Sequence, residues 1–182
     1  MTVPKKNSIL VFDTNIFLTG IDFSLIPSKI YTTPQVIEEI EVIKYQSQNR
    51  TILNRILAAI ETGKLIIKSS QDKYRFRVKE KSKITGDFLK LSETDFDVVA
   101  LALELKEIET DEVILYTNDY SIENLCFHLN LGFKSIFKEG IKKKYYFALY
   151  CPSCKKIYDK SYGEKICDNC GSKLKRKAIS SK

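Results

Sequence analysis

The stretch Ile9–Gly20, ILVFDTNIFLTG, decides the fold. Four apolar residues, Ile9 to Phe12, run into Asp13, Thr14 and Asn15, and a second apolar run follows. A short run that is apolar at every position, ahead of a polar turn, is the pattern of a central strand buried on both faces. Asp13 then stands at the strand's carboxyl end. In open α/β sheets that edge binds ligands, at the point where strand order reverses. The same position also suits an aspartate that caps the next helix. The stretch alone leaves both readings open.

Outward from it, Ile30–Thr32, Leu65–Ile67, Val113–Tyr116 and Phe133–Phe137 read as further strands. Between them lie helical patterns. One has Thr32 or Thr33 as cap and Pro34 in its first turn, with a stripe of Val36, Ile37, Ile40 and Ile43. A second, striped by Ile52, Leu53, Ile56, Leu57 and Ile60, ends at Gly63. Ser92-Glu93-Thr94-Asp95 fits a capping box before the nearly all-apolar Phe96–Leu105, and Ile122–Leu131 is stopped by Gly132. Phe17–Leu25 is too short and mixed to assign. Residues 72–90, highly charged and weakly periodic, read as a solvated helix running into a mobile loop through Gly86. Strands alternating with helices predict an α/β fold, a parallel sheet with helices on both faces.

The 182 residues suffice for one ordinary domain and a small appendage, and a 43% hydrophobic content is ample for a core. The expected boundaries are a main domain over 1–140, a hinge and first ribbon strand over 141–150, a cysteine module over 151–172, and a basic tail over 173–182. No apolar run approaches the roughly 20 residues of a membrane span. MTVPKKNS leads into a strand too short for a signal-peptide core, so the cytoplasm is expected. The net charge of +7 is uneven. Residues 141–182 carry 12 Lys and Arg against three acids, or +9, while the first 140 residues sum to −2. A basic arm on a slightly acidic body points to a polyanionic partner.

Four of the five cysteines fall as Cys151-x2-Cys154 and Cys167-x2-Cys170, the spacing of a tetrathiolate zinc site. The metal would hold a segment too small for its own core. Cys126, in a helical pattern, reads as a buried small hydrophobe. Around the knuckles, Tyr145, Tyr146, Phe147, Tyr150, Tyr158 and Tyr162 interleave with lysines. Aromatics stack on unpaired bases and lysines meet phosphates, although part of these rings is needed for packing. The RNA-binding candidates are Lys142, Lys143, Lys144, Lys155, Lys156, Lys173, Lys175, Arg176 and Lys177.

Four acids can reach one edge. Asp13 and Asp119 follow two strands in the same way, Asp95 lies in the first turn of the buried helix, and Glu39 leaves the second strand on its helix. At about 100° per residue Glu39 falls at the margin of the apolar stripe, whereas Glu38 points away and Glu41 lies off the other side. Crowded carboxylates repel and need a cation; hard oxygen ligands favour Mg2+ or Mn2+. Such a site can activate water and stabilise charge on a phosphodiester. Histidine chemistry is disfavoured, because His128 is the only histidine and reads as structural. No phosphate-binding glycine loop is present, which leaves nucleotide cofactors without support.

VFDTN, the Glu39 helix, LSETDFDVVALALEL and YTNDYSIENL resemble, in order, the motifs of PIN-domain nucleases. Followed by CPSC and CDNCG, they resemble the Nob-type endoribonucleases, over about Ile9 to Gly171. The resemblance implies a PIN-like fold with a C-terminal zinc ribbon and an endoribonuclease that needs Mn2+ or Mg2+ and leaves a 5′-phosphate. It also implies action on precursor small-subunit ribosomal RNA, whose 3′ end such enzymes mature within the pre-ribosomal particle. The metal-binding acids it carries over are Asp13, Glu39, Asp95 and Asp119, with Asp97, Asn15 and Asn118 as further candidates. The compact length is similar to that of archaeal members. Two other readings stand beside it: a toxin-type PIN ribonuclease cutting tRNA or mRNA, and a non-catalytic RNA-binding assembly factor.

Overall fold

A computed structural model describes residues 8–22, 25–43, 50–159 and 162–181. The N-terminal leader, Ile43's place in its helical stripe, Lys160 and Lys182 fall outside the described residues or side chains. Strand β1 (Ser8–Phe12) pairs in parallel with both β2 (Ile30–Thr32) and β4 (Glu112–Tyr116). Strands β3 (Leu65–Ile67) and β5 (Gly132–Lys134) extend the sheet on either side, giving the order β3-β2-β1-β4-β5. All five residues of β1 are buried. Side chains alternate between the faces of a strand, so both faces of the sheet are covered there. The helices are α1 (Thr14–Leu18), α2 (Pro34–Ile43), α3 (Arg50–Glu61), α4 (Asp72–Thr85), α5 (Glu93–Ile108) and α6 (Tyr120–His128). Helix α5, apolar but for Asp97 and Glu104, buries every residue from Phe96 to Leu105. Among the described residues, no helix is long and apolar enough to cross a membrane.

A second sheet, antiparallel in the order β7-β6-β8, is formed by β6 (Tyr145–Tyr150), β7 (Ile157–Tyr158) and β8 (Lys175–Ser181). The residues expected to form a basic tail are therefore largely a strand, paired along β6 from Tyr150↔Lys175 to Tyr145↔Ser181.

Three local expectations change. Helix α6 ends at His128, and Asn130, at φ 54°, takes the left-handed turn expected of glycine. Gly132 instead lies in β5, where an added Cβ would sit 2.9 Å from the Val113 carbonyl oxygen. The segment expected as a solvated helix and mobile loop is anchored. Helix α4 buries Tyr74, Val78, Ser82 and Thr85, a stripe half made of hydroxyl residues and so weak by apolar count. After Gly86 (φ 79°) the buried Asp87 leads into a 3-10 turn over Phe88–Lys90, and Phe88 stacks on Phe96 at 5.6 Å.

What anchors this loop is the second sheet. Arg176 of β8 donates one guanidinium nitrogen to Asp87 and another to the Ser121 hydroxyl at 3.2 Å, and its plane lies 3.9 Å from the Phe147 ring. Thr85 and Asn124 each donate to the other Asp87 oxygen at 2.7 Å. Asn124 also brackets Tyr145, donating to its carbonyl at 3.0 Å and accepting from its N–H at 2.8 Å. His128 faces the same carbonyl at 3.0 Å and meets the Tyr146 ring edge-on, the structural role expected of it. A Cβ on Gly86 would lie 2.2 Å from the Phe147 carbonyl oxygen, so only glycine suits both the contact and the left-handed backbone.

Asp87 has no solvent exposure, and Arg176 is its counter-charge. Arg176→Ala is therefore expected to cost about 3 kcal/mol or more of stability, because it leaves a buried carboxylate unpaired. Adding Asp87→Asn should recover part of that loss. Urea unfolding of the zinc-loaded chain measures both, and wild-type stability in Arg176→Ala would remove the pair from the structure's supports.

Candidate active site

Strand order reverses between β1 and β4, which are neighbours in register from Ser8↔Glu112 to Phe12↔Tyr116. Asp13 and Asp119 follow these two strands and so flank the switch point. Asp13 occupies the N-cap position of α1, yet its side chain makes no capping hydrogen bond. Its carboxylate accepts instead from the Thr117 hydroxyl at 2.9 Å, and Thr117 in turn accepts from the Asp119 N–H at 3.0 Å. Of the two readings open for Asp13, the side-chain cap is not made.

Of the other acids, Asp119 and Asp95 cap helices and Glu39 does not. Asp119 accepts from the Ser121 N–H at 2.6 Å. Asp95 completes the capping box, accepting from the Ser92 N–H at 2.7 Å while its own N–H donates to the Ser92 hydroxyl at 3.1 Å. Glu39 accepts from the Thr14 hydroxyl at 2.7 Å. The second oxygens of Asp119 and Glu39 have no hydrogen-bond partner among the described residues. Glu38 is exposed and Glu39 half-buried, as the helix phase predicts. Thr14 and Thr117, which orient two of the four carboxylates, were missed in the sequence. A hydroxyl beside each acid, in FDTN and YTND, was the signal.

The four acids repel one another and so couple electrostatically. Asp13 is 2% exposed. Burial first, then the charges of Asp95 and Asp119, push its carboxyl up to about 7, against the downward pull of the Thr117 hydrogen bond. Burial also raises Asp95, and Asp119 and Glu39 add to it. Two of the remaining candidates have partners of their own. Asp97 sits 2.9 Å from the Arg75 guanidinium, and Asn118 accepts from the Ile136 N–H at 3.1 Å, which fixes the loop after β5. Asn15 is exposed. Asp87, Glu104 and Glu123 are buried acids that sequence reading did not single out. Glu104 faces Lys68 at 3.0 Å, and Glu123 accepts from the Ile141 N–H at 2.8 Å.

The oxygen donors of the four acids suit a hard divalent cation, and no lysine or arginine neutralises Asp13 among the described residues. The cysteines show a different geometry. Among the described residues, theirs is the one group of three or more ligand side chains gathered tightly enough to hold an ion, with all four sulfurs within 4.8 Å of one another. The Cys151–Cys170 and Cys154–Cys167 sulfurs lie 3.4 and 3.6 Å apart, near the edge of about 3.8 Å of a tetrahedron with Zn–S bonds of about 2.3 Å. Burial pushes the Cys167 thiol up, but the Tyr158 hydroxyl, 2.9 Å from its sulfur, and backbone N–H groups bring it below the ordinary thiol range. Four cysteines so placed suit a closed structural zinc site, whereas the acids are gathered less tightly.

The arm's cations divide in two. Lys143, Lys173, Lys175 and Lys177 are exposed. Lys142 pairs with Glu139 at 2.7 Å, Lys144 lies over Phe127, Lys155 donates to the Pro152 carbonyl, and Lys156 pairs with Asp168. Alternation along β8 turns Lys175 and Lys177 outward and Arg176 inward, so Arg176, an RNA-binding candidate in the sequence, is committed to Asp87.

The raised Asp13 carboxyl gives a signed expectation. The folded state holds this proton more tightly than the unfolded chain, so Asp13 destabilises the fold increasingly as pH rises from near 4 to above 7. Without added Mn2+ or Mg2+, Asp13→Asn should raise the Tm at pH 8 by roughly 2–4 °C, about 1 kcal/mol in a chain of this size. The gain should vanish near pH 4. Thermal unfolding across pH of the zinc-loaded proteins checks this, and a gain that grows toward low pH contradicts it.

A family described as the PIN domain of ribonuclease matches residues 10–105, which include Asp13, Glu39 and Asp95. The chain is 37% identical over 174 residues to endoribonuclease Nob1 of Methanocaldococcus jannaschii, across 96% of this chain and 80% of that protein. It is 31% identical to endoribonuclease Nob1 of Methanothermobacter thermautotrophicus, across 92% of this chain and 91% of that one. Ribonuclease VapC1 of Thermoplasma acidophilum is 32% identical, across 92% of this chain and 77% of its own length. With a five-stranded parallel sheet, carboxylates at its switch point and a tetrathiolate cluster after it, the chain belongs to the PIN-domain ribonucleases as an endoribonuclease of the Nob1 type.

Proposed function

We propose that this endoribonuclease hydrolyses a phosphodiester in precursor small-subunit ribosomal RNA, maturing its 3′ end in the cytoplasm, with Mn2+ or Mg2+ held by Asp13, Glu39, Asp95 and Asp119. One observation carries the metal assignment. The chain gives Asp87, Asp97 and Glu104 a lysine or arginine each, but gives the buried Asp13 a threonine hydroxyl and two like charges. A cation from outside completes that set. When bound, the ion supplies activated water and neutralises charge on the phosphodiester. Thr117 and Thr14 hold the Asp13 and Glu39 carboxylates in place, and the capping bonds of Asp95 and Asp119 hold one oxygen of each. We take the nuclease domain to run to about residue 140 and the cysteine module, with its exposed Lys143, Lys173, Lys175 and Lys177, to grip the RNA backbone. The relatives named endoribonuclease Nob1 support the ribosomal substrate.

The relative named ribonuclease VapC1 favours a second reading, a toxin-type ribonuclease, because its similarity spans 92% of the chain and so takes in the cysteine module. End-mapping after incubation with Mn2+ decides between them. One dominant cut in small-subunit precursor RNA supports the first reading, and equal cutting of tRNA or mRNA the second.

Two adjacent glutamates test the site. Glu39→Gln removes a charge at the metal set and should lower single-turnover cleavage about 100-fold or more. Glu38→Gln, on the exposed side of α2, should change it less than about threefold. Circular dichroism confirms the fold of both; the reverse order of effects would take Glu39 out of the site.

A further inference from the structure

Two exposed aromatic rings stand at the carboxylate edge, and neither packs on another ring among the described residues. Among the described residues the exposed aromatics are Phe76, Tyr120 and Phe137, and two of these three lie at this edge. Tyr120 follows Asp119 directly and is 52% exposed, and its hydroxyl has no hydrogen-bond partner among the described residues. Phe137, 71% exposed, lies in the loop after β5, which runs parallel to β4 and so delivers that loop to the same end of the sheet. The loop is tied down. The Thr117 N–H donates to the Lys134 carbonyl at 3.1 Å, and Ile136 donates to Asn118. Lys138, next in the chain, places its ammonium 3.6 Å from the centre of the Tyr120 ring, and among the described residues no carboxylate pairs with it.

A cluster of acids repels RNA, so a strand entering it needs a cation and an uncharged surface alongside. We propose that Tyr120, Phe137 and Lys138 form a subsite for one unpaired nucleotide next to the cleaved bond. Its base stacks on the exposed rings and its phosphate takes the Lys138 ammonium. A phosphate carries a full charge and outcompetes a ring quadrupole for that ammonium, so binding frees the face of Tyr120 on which the base then lies. Stacking on an aromatic platform is tolerant of sequence and demands a base that is not paired. The subsite thus selects single-stranded RNA at the cut. It also lies just ahead of Lys142–Lys144 in the chain, which links the acids to the basic arm. The inference rests on the assignment of Asp119 to the catalytic set.

The test uses the zinc-loaded full chain without added Mn2+ or Mg2+, and a single-stranded RNA oligonucleotide of mixed sequence carrying 2-aminopurine. Tyr120→Ala should weaken binding about tenfold and relieve the fluorescence quenching that stacking produces. Tyr120→Trp should restore both. Lys138→Ala should reduce the slope of log affinity against log salt by about 0.7, the share of one phosphate on a single strand. Duplex RNA of the same sequence should bind wild type and Tyr120→Ala alike. Wild-type affinity in Tyr120→Ala overturns the proposal. So does an equal loss on duplex, or a Trp variant as weak as the Ala variant with its fold intact. The oligonucleotide is unrelated to ribosomal RNA, so a wild-type protein that fails to cut small-subunit precursor sinks the proposed substrate and leaves this result standing.

Discussion

A carboxylate held almost out of water beside two others is the constraint on which this molecule turns. Burying an ionised acid without a counter-charge is among the costlier acts available to a fold. The chain commits it at Asp13, at the end of its most buried strand, and it can do so because the sheet leaves no alternative. β1 needs neighbours on both edges and cover on both faces, and the residue that follows it emerges at the switch point wherever helices pack. The position of the acid is fixed by backbone topology. Only its charge is left to be met.

A second buried aspartate shows the other solution. Asp87 lies equally deep, but the chain brings Arg176 to it from the far sheet, with Thr85 and Asn124 filling the remaining oxygen. One acid is closed off by the protein's own cation, and the surrounding contacts hold the two sheets together. The other is left with a threonine hydroxyl and two like charges, and no lysine or arginine pairs with it among the described residues. The same burial is met by a counter-charge in one place and left unmet in the other, and the difference lies in whether a guanidinium is within reach.

Much of this was legible beforehand, where the signal is local. The apolar run of β1, the Ser92–Asp95 capping box, the phase of Glu39 on α2 and the two cysteine knuckles each follow from spacing within a turn or two. The docking of the second sheet was not legible, because its partners lie 89 residues apart for Arg176–Asp87 and 21 for Asn124–Tyr145. A run such as Lys175-Arg176-Lys177 looks uniformly solvated until strand alternation turns its middle member inward. The anchored loop after α4 was hidden for a related reason. Its buried stripe uses serine and threonine, and its fixed point is a glycine whose neighbour is another module's backbone.

The separation of Asp87 from its arginine also bears on how the chain is made. Translation delivers Asp87 to the exit of the ribosome 89 residues before Arg176, so the nuclease sheet can assemble while its buried acid still has no mate. Until β8 emerges, that acid favours open forms of the nascent domain over the closed one. The strand that supplies the counter-charge is thus the last of the second sheet, and the ion pair ties the late-made part of the chain to the early-made part.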